Sequence, residues 1–259
     1  MCIRDRSAFD AINVDEIENI SVLKDASAAV YGSRAANGVI LVTTKRGEDG
    51  KPKFSFSSNW GISSPTAMPE LLNAYEYATL WNEAQTNMGY DINNPSDESL
   101  FYNEEQLEAA KKNSSDWFGE TFKKYSLNQK YNISINGGND RIKYFMSLGY
   151  LNDDGMYDGI NYNRYNLRAN IDAKINNYIN VRLDLTGMQS NMNEPYVTPA
   201  SLFEYTVRRS PLDPIYNPDG TYYDMGSRHP IAERDDSGYR KSTVSYTHLR
   251  AHETVLDLV

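Results

Sequence analysis

Apolar and polar residues alternate along much of the second half of the chain, which is the pattern of β-strands with one apolar face. The clearest segment is 164–175, where every second residue is apolar and every residue between is polar. Its apolar positions are Tyr165, Leu167, Ala169, Ile171, Ala173 and Ile175. The same alternation predicts strands over 53–62, 127–136, 142–150 and 179–186. We therefore expect a mainly β fold.

The predicted connections between these strands fall into two classes. Gly137–Asp140 and Asn176-Asn177 are short and turn-like, whereas 62–126, 153–160 and the proline-rich 190–240 are longer. Strands of about ten residues with short turns at one end and long loops at the other are typical of transmembrane β-barrels. A soluble β-sandwich shows the same alternation, so the strand pattern alone leaves both folds open. If the short turns are periplasmic, the first strand runs outward.

A helical insertion is predicted after the first of these strands. Pro69–Met88 carries apolar residues near helical spacing, and its proline suits a helix start. Glu104–Lys112 gives a second short helix. We expect the apolar residues of these helices to form a small local core rather than a binding site. In the first helix they are Leu72, Tyr75, Leu80 and Ala84.

The segment Ile17–Gly47 has a different character from the alternating strands. Ile20–Leu23 is a short apolar run, and Ala26–Ala36 is rich in small residues that favour a helix. Asn37-Gly38 ends the helix, because glycine tolerates positive φ. Val39–Thr44 reads VILVTT, which predicts a strand buried on both faces. Periodicity alone would also fit a compact α/β unit in a soluble domain.

Three pieces of this segment closely resemble the end of the plug domain in TonB-dependent outer-membrane receptors of the SusC/RagA type. They are VLKDASA at 22–28, YGSRAANGVI at 31–40 and TTK at 43–45. The match runs with little interruption over about thirty residues and is far more specific than a lone glycine-rich pattern. The positions that we assign to the structural plug motif are Lys24, Asp25, Tyr31, Gly32, Arg34, Asn37 and Gly38.

The resemblance implies a fragment of a large transmembrane antiparallel β-barrel that follows the C-terminal α/β part of a plug domain. On this interpretation residues 8–47 belong to the plug, and residues 51–244 form the N-terminal barrel strands and loops. The polar side chains of the strands would then face the lumen. The lumen-facing candidates are Arg164, Arg168, Asp172, Arg182 and Asp184.

The resemblance also implies a function, which is energy-driven uptake of large nutrients, either glycans or peptides, across the outer membrane of a Gram-negative bacterium. The implied partners are the TonB/ExbB/ExbD energising complex, a SusD-like surface lipoprotein, the cargo and membrane lipid. The alternative is a soluble, secreted, β-rich carbohydrate-binding module whose tyrosines stack on sugars. The 20 tyrosines among 259 residues suit either function.

Charge and residue composition exclude several other classes. The net charge of −9 argues against a nucleic-acid partner. No stretch approaches the ~20 apolar residues of a membrane helix. The single cysteine, Cys2, forms no internal disulfide. We find no nucleophile elbow, phosphate loop or zinc motif, so neither an enzyme, a cofactor nor a metal site is predicted.

Both ends of the chain have an unusual sequence. MCIRDRS at 1–7 and the run at 245–259 resemble translated adapter sequence, and the start has no apolar signal-peptide core. We therefore expect a non-native leader, a non-native tail and an internal fragment between them. A true amphipathic C-terminal helix is the alternative for the tail, because two histidines are spaced by four residues.

The charged residues of the plug motif need partners if they are buried. We expect Lys24, Asp25 and Arg34 to pair with each other or with lumen-facing charges such as Arg168 and Asp172.

Overall fold

The computed structural model describes residues 12–24, 30 and 38–255, with side chains to residue 251. These residues form a two-stranded hairpin, a six-stranded sheet and helix-containing loops. The strands are β1 (Ile17–Leu23), β2 (Val39–Thr44), β3 (Gly50–Ser63), β4 (Ser126–Gly138), β5 (Ile142–Asp154), β6 (Asn161–Lys174), β7 (Ile179–Pro195) and β8 (Tyr239–Val255). The α-helices are α1 (Ala74–Asn87), α2 (Glu104–Lys112), α3 (Trp117–Thr121), α4 (Pro199–Val207) and α5 (Pro230–Asp235).

The large sheet has the simplest antiparallel topology. Strands β3 to β8 lie side by side in sequence order, and each pairs with the next. Within the described part of the chain, β3 and β8 do not pair with each other, so the sheet is open. The predicted mainly β, antiparallel fold is confirmed.

The two faces of the sheet have opposite chemistry. One face carries the apolar positions of the alternation, and it is the exposed one: Phe54 is 74% exposed and Leu148 is 56% exposed. The other face carries polar residues, among which Ser147 and Asn170 are buried. A soluble sandwich buries its apolar face, so this arrangement is the reverse and matches a barrel wall whose apolar face meets lipid.

A row of aromatic side chains crosses the apolar face near its long-loop end. Tyr131, Tyr150 and Tyr165 are register neighbours on β4, β5 and β6, and their ring centroids lie 6.3 and 5.0 Å apart. Trp60 meets Tyr131 edge to face at 6.0 Å. From Ile142 to Tyr150 the apolar band extends roughly 27 Å along β5 at about 3.4 Å per residue. With the ~40° strand tilt of outer-membrane barrels this is a height of roughly 21 Å, close to their ~25 Å apolar belt.

The last two strands of the sheet differ most from the prediction. β7 continues to Pro195, so the following connection is 196–238 rather than 190–240. A sixth strand, β8, then pairs with β7 along its whole length. The alternative of a C-terminal helix is therefore wrong, because residues 245–255 are strand. Backbone pairing with β7 outweighs the helical preference that the spacing of the two histidines suggested.

The helical insertion is present between β3 and β4, but its first helix begins later than predicted. Asn73 caps α1 and forms a capping box with Glu76, which places the helix start at Ala74 rather than Pro69. α2 matches the predicted range, whereas α3 has only five residues and is too short for a periodic signal. In the described ranges, no helix is long and apolar enough to cross a membrane.

The local core of the insertion differs from the prediction. Ala74, Ala78 and Ala110 are buried between α1 and α2, whereas Leu72 and Leu80 are more than two-fifths exposed. The small residues face inward because they allow the two short helices to approach closely. The expectation that the larger apolar residues form this core is therefore wrong.

Three long-loop-end connections pack into one layer. Arg234 on α5 donates hydrogen bonds to the carbonyl oxygens of Glu120 and Thr121 at the end of α3. Tyr157 in the β5–β6 loop and Leu202 on α4 are buried in one apolar cluster. These three connections therefore pack against one another at the long-loop end of the sheet.

Replacing Asn73 with Ala removes the capping box of α1. We expect a loss of about 1 kcal/mol of local helix stability, which corresponds to roughly fivefold faster amide exchange. Hydrogen–deuterium exchange of the α1 amides measures this change. Asn87→Ala, at the exposed last residue of the same helix, is the matched control. Equal exchange in the two variants would show that the cap does not hold the helix.

Candidate functional site

The β1–β2 hairpin is the described part of the predicted plug segment. The strands are antiparallel, with Leu23 opposite Val39. Lys24 and Gly38 lie at the end where residues 25–37 connect the two strands, and Gly38 has a φ of +102°, which favours glycine. The predicted helix at 26–36 lies outside the described residues. So do five of the plug-motif positions, Asp25, Tyr31, Gly32, Arg34 and Asn37.

Fewer residues of β2 are buried than its sequence, VILVTT, predicts. Val42 is 1% exposed, but Ile40 is half exposed. Among the described residues β2 has a strand neighbour on one side only. Burial on both faces, which is typical of a central parallel strand, is therefore not observed in this hairpin.

A buried ion pair joins the start of the hairpin to the polar face of the sheet. A carboxylate oxygen of Glu16 lies 2.6 Å from Nε of Arg168 on β6, and the side chains are 1% and 3% exposed. The other carboxylate oxygen accepts a hydrogen bond of 2.9 Å from Ser147 on β5. Since buried charges need partners and hydrogen bonds, this arrangement fixes Glu16 against two strands.

The hairpin approaches the sheet closely beside this ion pair. Asn13 donates a hydrogen bond of 3.1 Å to Asn132 on β4. It passes directly over Gly149, where an added Cβ would lie 2.5 Å from the Asn13 amide nitrogen. A side chain at position 149 would displace the side-chain amide of Asn13 and disturb its hydrogen bond to Asn132, so close packing favours glycine there.

A second charged cluster lies at the same end of the hairpin, where Ile17 pairs with Thr44, and it holds the segment after β2. Arg46, just after β2, contacts Asp172 on β6 at 3.1 Å and Asp184 on β7 at 3.0 Å. Arg182 on β7 adds a contact of 2.8 Å to Asp172. Partial burial alone would lower the pKa of Arg46, but hydrogen bonds and charges from Asp184 and Asp172 raise it. The guanidinium therefore stays charged between the two carboxylates.

Main-chain contacts extend this attachment toward β3. The Lys45 carbonyl oxygen accepts a hydrogen bond of 2.7 Å from Asn170, and the Glu48 amide donates one of 2.9 Å to Asn136. Gly47 lies against β5 so tightly that an added Cβ would be 2.2 Å from the Tyr144 nitrogen. The hairpin and its linker therefore contact four adjacent strands, β4 to β7.

The five lumen-facing candidates share one face of the sheet, the face that the hairpin covers. Arg168, Asp172 and Asp184 contact the hairpin or its linker directly, whereas Arg182 contacts Asp172. Arg164 lies on the same face of β6 and takes part in contacts of its own. Whether this face lines a lumen stays a prediction.

Arg168 pairs with Glu16, and Asp172 pairs with Arg46 and Arg182. The sequence expectation named neither Glu16 nor Arg46, and it missed Gly149 as well. Asp25 and Arg34 lie outside the described residues, so the expected pairing of the plug charges stays a prediction. Glu16 directly precedes β1 and Arg46 closely follows β2. The available signal was therefore a pair of opposite charges, one just before β1 and one just after β2 in the sequence.

The site has the chemistry of a structural contact. Its charges are paired with one another, and nothing in it combines a nucleophile with a base. No group of three or more metal-ligating side chains occurs in the described ranges. What the arrangement can do is hold residues 13–16 and 45–49, at the base of the hairpin, against one side of the sheet.

Sequence comparisons match this chain to receptors of one kind. A family model described as the TonB-dependent receptor plug domain matches residues 3–39. A TonB-dependent receptor of Formosa agariphila is 32% identical over 220 residues, which is 82% of this chain and 20% of that receptor. The TonB-dependent receptor SusC of Bacteroides thetaiotaomicron is 29% identical over 222 residues, which is 85% of this chain and 20% of SusC.

Structural comparison gives the same fold. The RagAB peptide importer in its open-open state superposes with a TM-score of 0.71 at 21% identity, over 98% of this chain and 31% of that chain. Its closed-closed state gives a TM-score of 0.70, also at 21% identity, over 98% of this chain and 32% of that chain.

The hairpin seated on a two-faced sheet, together with these matches, defines the class: the chain belongs to the TonB-dependent receptors. Within that class it is of the SusC/RagA type. The chain spans about a fifth of the length of these curated relatives.

Glu16→Ala is expected to destabilise the protein by about 3–5 kcal/mol, because it leaves the buried Arg168 without a partner. Guanidinium unfolding in detergent, followed by tryptophan fluorescence, measures this loss. Asp49→Ala removes a pair with Lys143 whose side chains are largely exposed, so a change within about 0.5 kcal/mol is expected.

A double variant separates loss of the charge from loss of the contact. Glu16→Leu combined with Arg168→Met should regain much of the lost stability, because apolar residues of similar size often replace buried ion pairs. Equal unfolding midpoints for Glu16→Ala and Asp49→Ala would rule out a dominant role for this ion pair.

Gly149→Ala should displace the start of the hairpin, because its Cβ would clash with Asn13. We expect faster proteolysis at 12–24 in this variant. Gly187→Ala is the matched control, since a Cβ there meets only the Leu167 Cβ, at 3.8 Å. Equal digestion rates would contradict the requirement for a close approach at Gly149.

Proposed function

We propose that this chain is part of a transporter that imports large nutrients across the outer membrane, driven by the TonB system. The observation that carries the proposal is the position of the hairpin. It covers the polar face of a sheet whose opposite face is apolar and exposed. A plug segment inside a barrel wall needs this geometry, because the wall meets lipid outside and polar groups inside.

The domain organisation follows from the same geometry. The plug ends with the hairpin, in residues 8–47, and the barrel wall begins with β3 at Gly50. Arg164, Arg168, Asp172, Arg182 and Asp184 face the lumen, where the plug pairs with Arg168, Asp172 and Asp184. Outer-membrane barrels have short periplasmic turns and longer extracellular loops, so the long connections are extracellular and the short turns are periplasmic.

The partners follow from membership of the family. The TonB/ExbB/ExbD complex supplies energy from the inner membrane, and a SusD-like lipoprotein caps the extracellular loops. The cargo is a glycan or a peptide. One structural relative, RagAB, is a peptide importer, and the shared fold supports the transport class rather than the cargo.

A soluble carbohydrate-binding module fits the molecule less well. Such a module would need to bury the apolar face of its sheet, but Phe54, Phe56 and Leu148 are each more than half exposed. The relatives matched by sequence above are TonB-dependent receptors.

Uptake by the complete receptor that contains this chain tests the proposal. The receptor gene is expressed with its neighbouring lipoprotein gene in a strain that lacks both, and labelled oligosaccharides and labelled peptides are supplied separately. We expect one class to accumulate, and accumulation to stop when TonB is deleted or a protonophore is added. Uptake that continues without TonB, or no uptake of either class, would contradict the proposed function.

A further inference from the structure

We propose that the outward face of strands β6–β8 binds one phosphorylated glycolipid of the outer leaflet. An acyl chain of this lipid lies in an apolar groove, and its sugar–phosphate headgroup lies on a polar patch beside the groove. The inference rests on the proposed function, because it takes the apolar face of the sheet to meet lipid and the long-loop end to lie outside the cell. It adds a specific lipid partner, which a lipid-facing wall does not by itself require.

An apolar groove of about 590 Å³ follows the tyrosine row on the outward face. Gly187 on β7 lines this groove, and an added Cβ there would meet only the Leu167 Cβ, at 3.8 Å. Tyr165 and Leu167 on β6 line it as well, and both are at least two-fifths exposed. The missing side chain at 187 therefore leaves a gap in a surface of large apolar residues. An acyl chain is the apolar group that a membrane supplies to fill such a gap.

A polar patch adjoins the groove on its long-loop side. Gln189 lines the groove and is only two residues from Asn191 in the patch, which is roughly 7 Å along β7. The patch lies on the same outward face, because its positions on β6 and β7 are an even number of residues from Tyr165 and Gly187, and those on β8 are their register partners. It surrounds a cavity of about 530 Å³. Residues that line this cavity include Asn161, Asn163, Asn191, Asn193, Lys241 and Thr243.

Tyr150 joins the groove to the patch. Its ring lines the groove, 5.0 Å from the ring of Tyr165. Its hydroxyl donates a hydrogen bond of 3.0 Å to the amide oxygen of Asn163 in the patch, and Asn152 donates one of 2.8 Å to the same oxygen. The border between apolar groove and polar patch therefore coincides with a row of tyrosines, and such rows lie at the level of the lipid headgroups.

The patch has the groups that a negatively charged sugar headgroup needs. Asparagine amides both donate and accept hydrogen bonds, as sugar hydroxyls do. In the described part of the chain the exposed Lys241 takes part in no ion pair, so its ammonium group can bind a phosphate. Asp154 is a carboxylate at the edge of the patch, but Asn161 donates a hydrogen bond to it, and β6 and β7 separate it from Lys241.

The site does not depend on the unusual run at 245–259. Ser245 and Thr247 line one side of the groove. The gap itself and the tyrosine rings beside it belong to β5, β6 and β7, and Lys241 and Thr243 precede the run.

A competition between two lipids tests the proposal on the complete receptor. The receptor is purified in detergent, depleted of lipid and incubated with equal amounts of diphosphoryl lipid A and phosphatidylglycerol, and native mass spectrometry counts each lipid on the protein. We expect one lipid A to be retained about tenfold more often, because only its sugars can use the asparagine amides. Equal retention of the two lipids would show an unselective surface and overturn the proposal.

Two variants locate the bound lipid. Gly187→Leu fills the groove and should weaken lipid A retention about tenfold. Ala173→Leu adds a comparable side chain to the same face of β6 but roughly 20 Å from Leu167, toward the short turns, and should change nothing. Lys241→Gln should weaken retention about fivefold, and Lys112→Gln, at the exposed end of α2, is its control. Retention that none of these substitutions changes would overturn the site.

Dephosphorylated lipid A separates the charge from the sugar. Loss of the phosphates should weaken retention about fivefold in the wild type and leave Lys241→Gln unchanged, because that variant has already lost the cation. Equal weakening in both would overturn the assignment of Lys241. TonB-dependent uptake is measured for the same receptors in cells. A receptor that imports cargo but does not prefer lipid A contradicts only this inference, whereas a wild type without TonB-dependent uptake contradicts the proposed function.

Discussion

The buried pair between Glu16 and Arg168 is the interaction on which the rest of this structure depends. Two charges that are almost fully removed from water can coexist only because each satisfies the other and Ser147 satisfies the remaining carboxylate oxygen. The pair can form only if the chain before β1 lies flat on β5 and β6. Close packing beneath the Asn13 side chain also favours glycine at 149.

The two faces of the sheet follow from the same constraint. Polar side chains on β4 to β7 are buried because the hairpin covers them, and the apolar side chains opposite are left facing outward. In water this would be an unstable arrangement, since burial of apolar surface is the main stabilising term in folding. In a bilayer it is the stable one, because lipid takes the place of a second apolar layer. The packing of the hairpin and the membrane environment therefore depend on each other.

The sequence predicts most of the wall because strand alternation is a local signal. The even positions of β6, from Arg164 to Lys174, and the short turns are readable residue by residue. The ends of elements depend on less visible interactions. Asn73 rather than Pro69 starts α1, because a side-chain cap decides it. Residues 245–255 form part of β8 rather than a helix, because β7 supplies backbone hydrogen-bond partners along the whole strand.

The contact site is harder to predict than the wall, because it joins residues more than a hundred positions apart. Nothing near Glu16 in the sequence indicates Arg168, and nothing near Gly149 indicates Asn13. Charges at the lumen-facing positions are visible as an alternating pattern, but their partners are a property of how the hairpin is placed. The plug resemblance points to the right segment, and the three-dimensional placement supplies Glu16 and Arg46.

The most direct test of this account is a spin-label scan along β6 in the complete receptor, reconstituted into lipid bilayers. Labels at 165, 167, 169 and 171 should collide readily with oxygen dissolved in the lipid, and labels at 166, 168, 170 and 172 should be shielded. The predicted result is an oxygen accessibility that alternates with a period of two residues and is high at the odd-numbered positions. No alternation, or ready access of a water-soluble nickel chelate to the odd positions, would contradict a lipid-facing wall that carries the plug on its inner face.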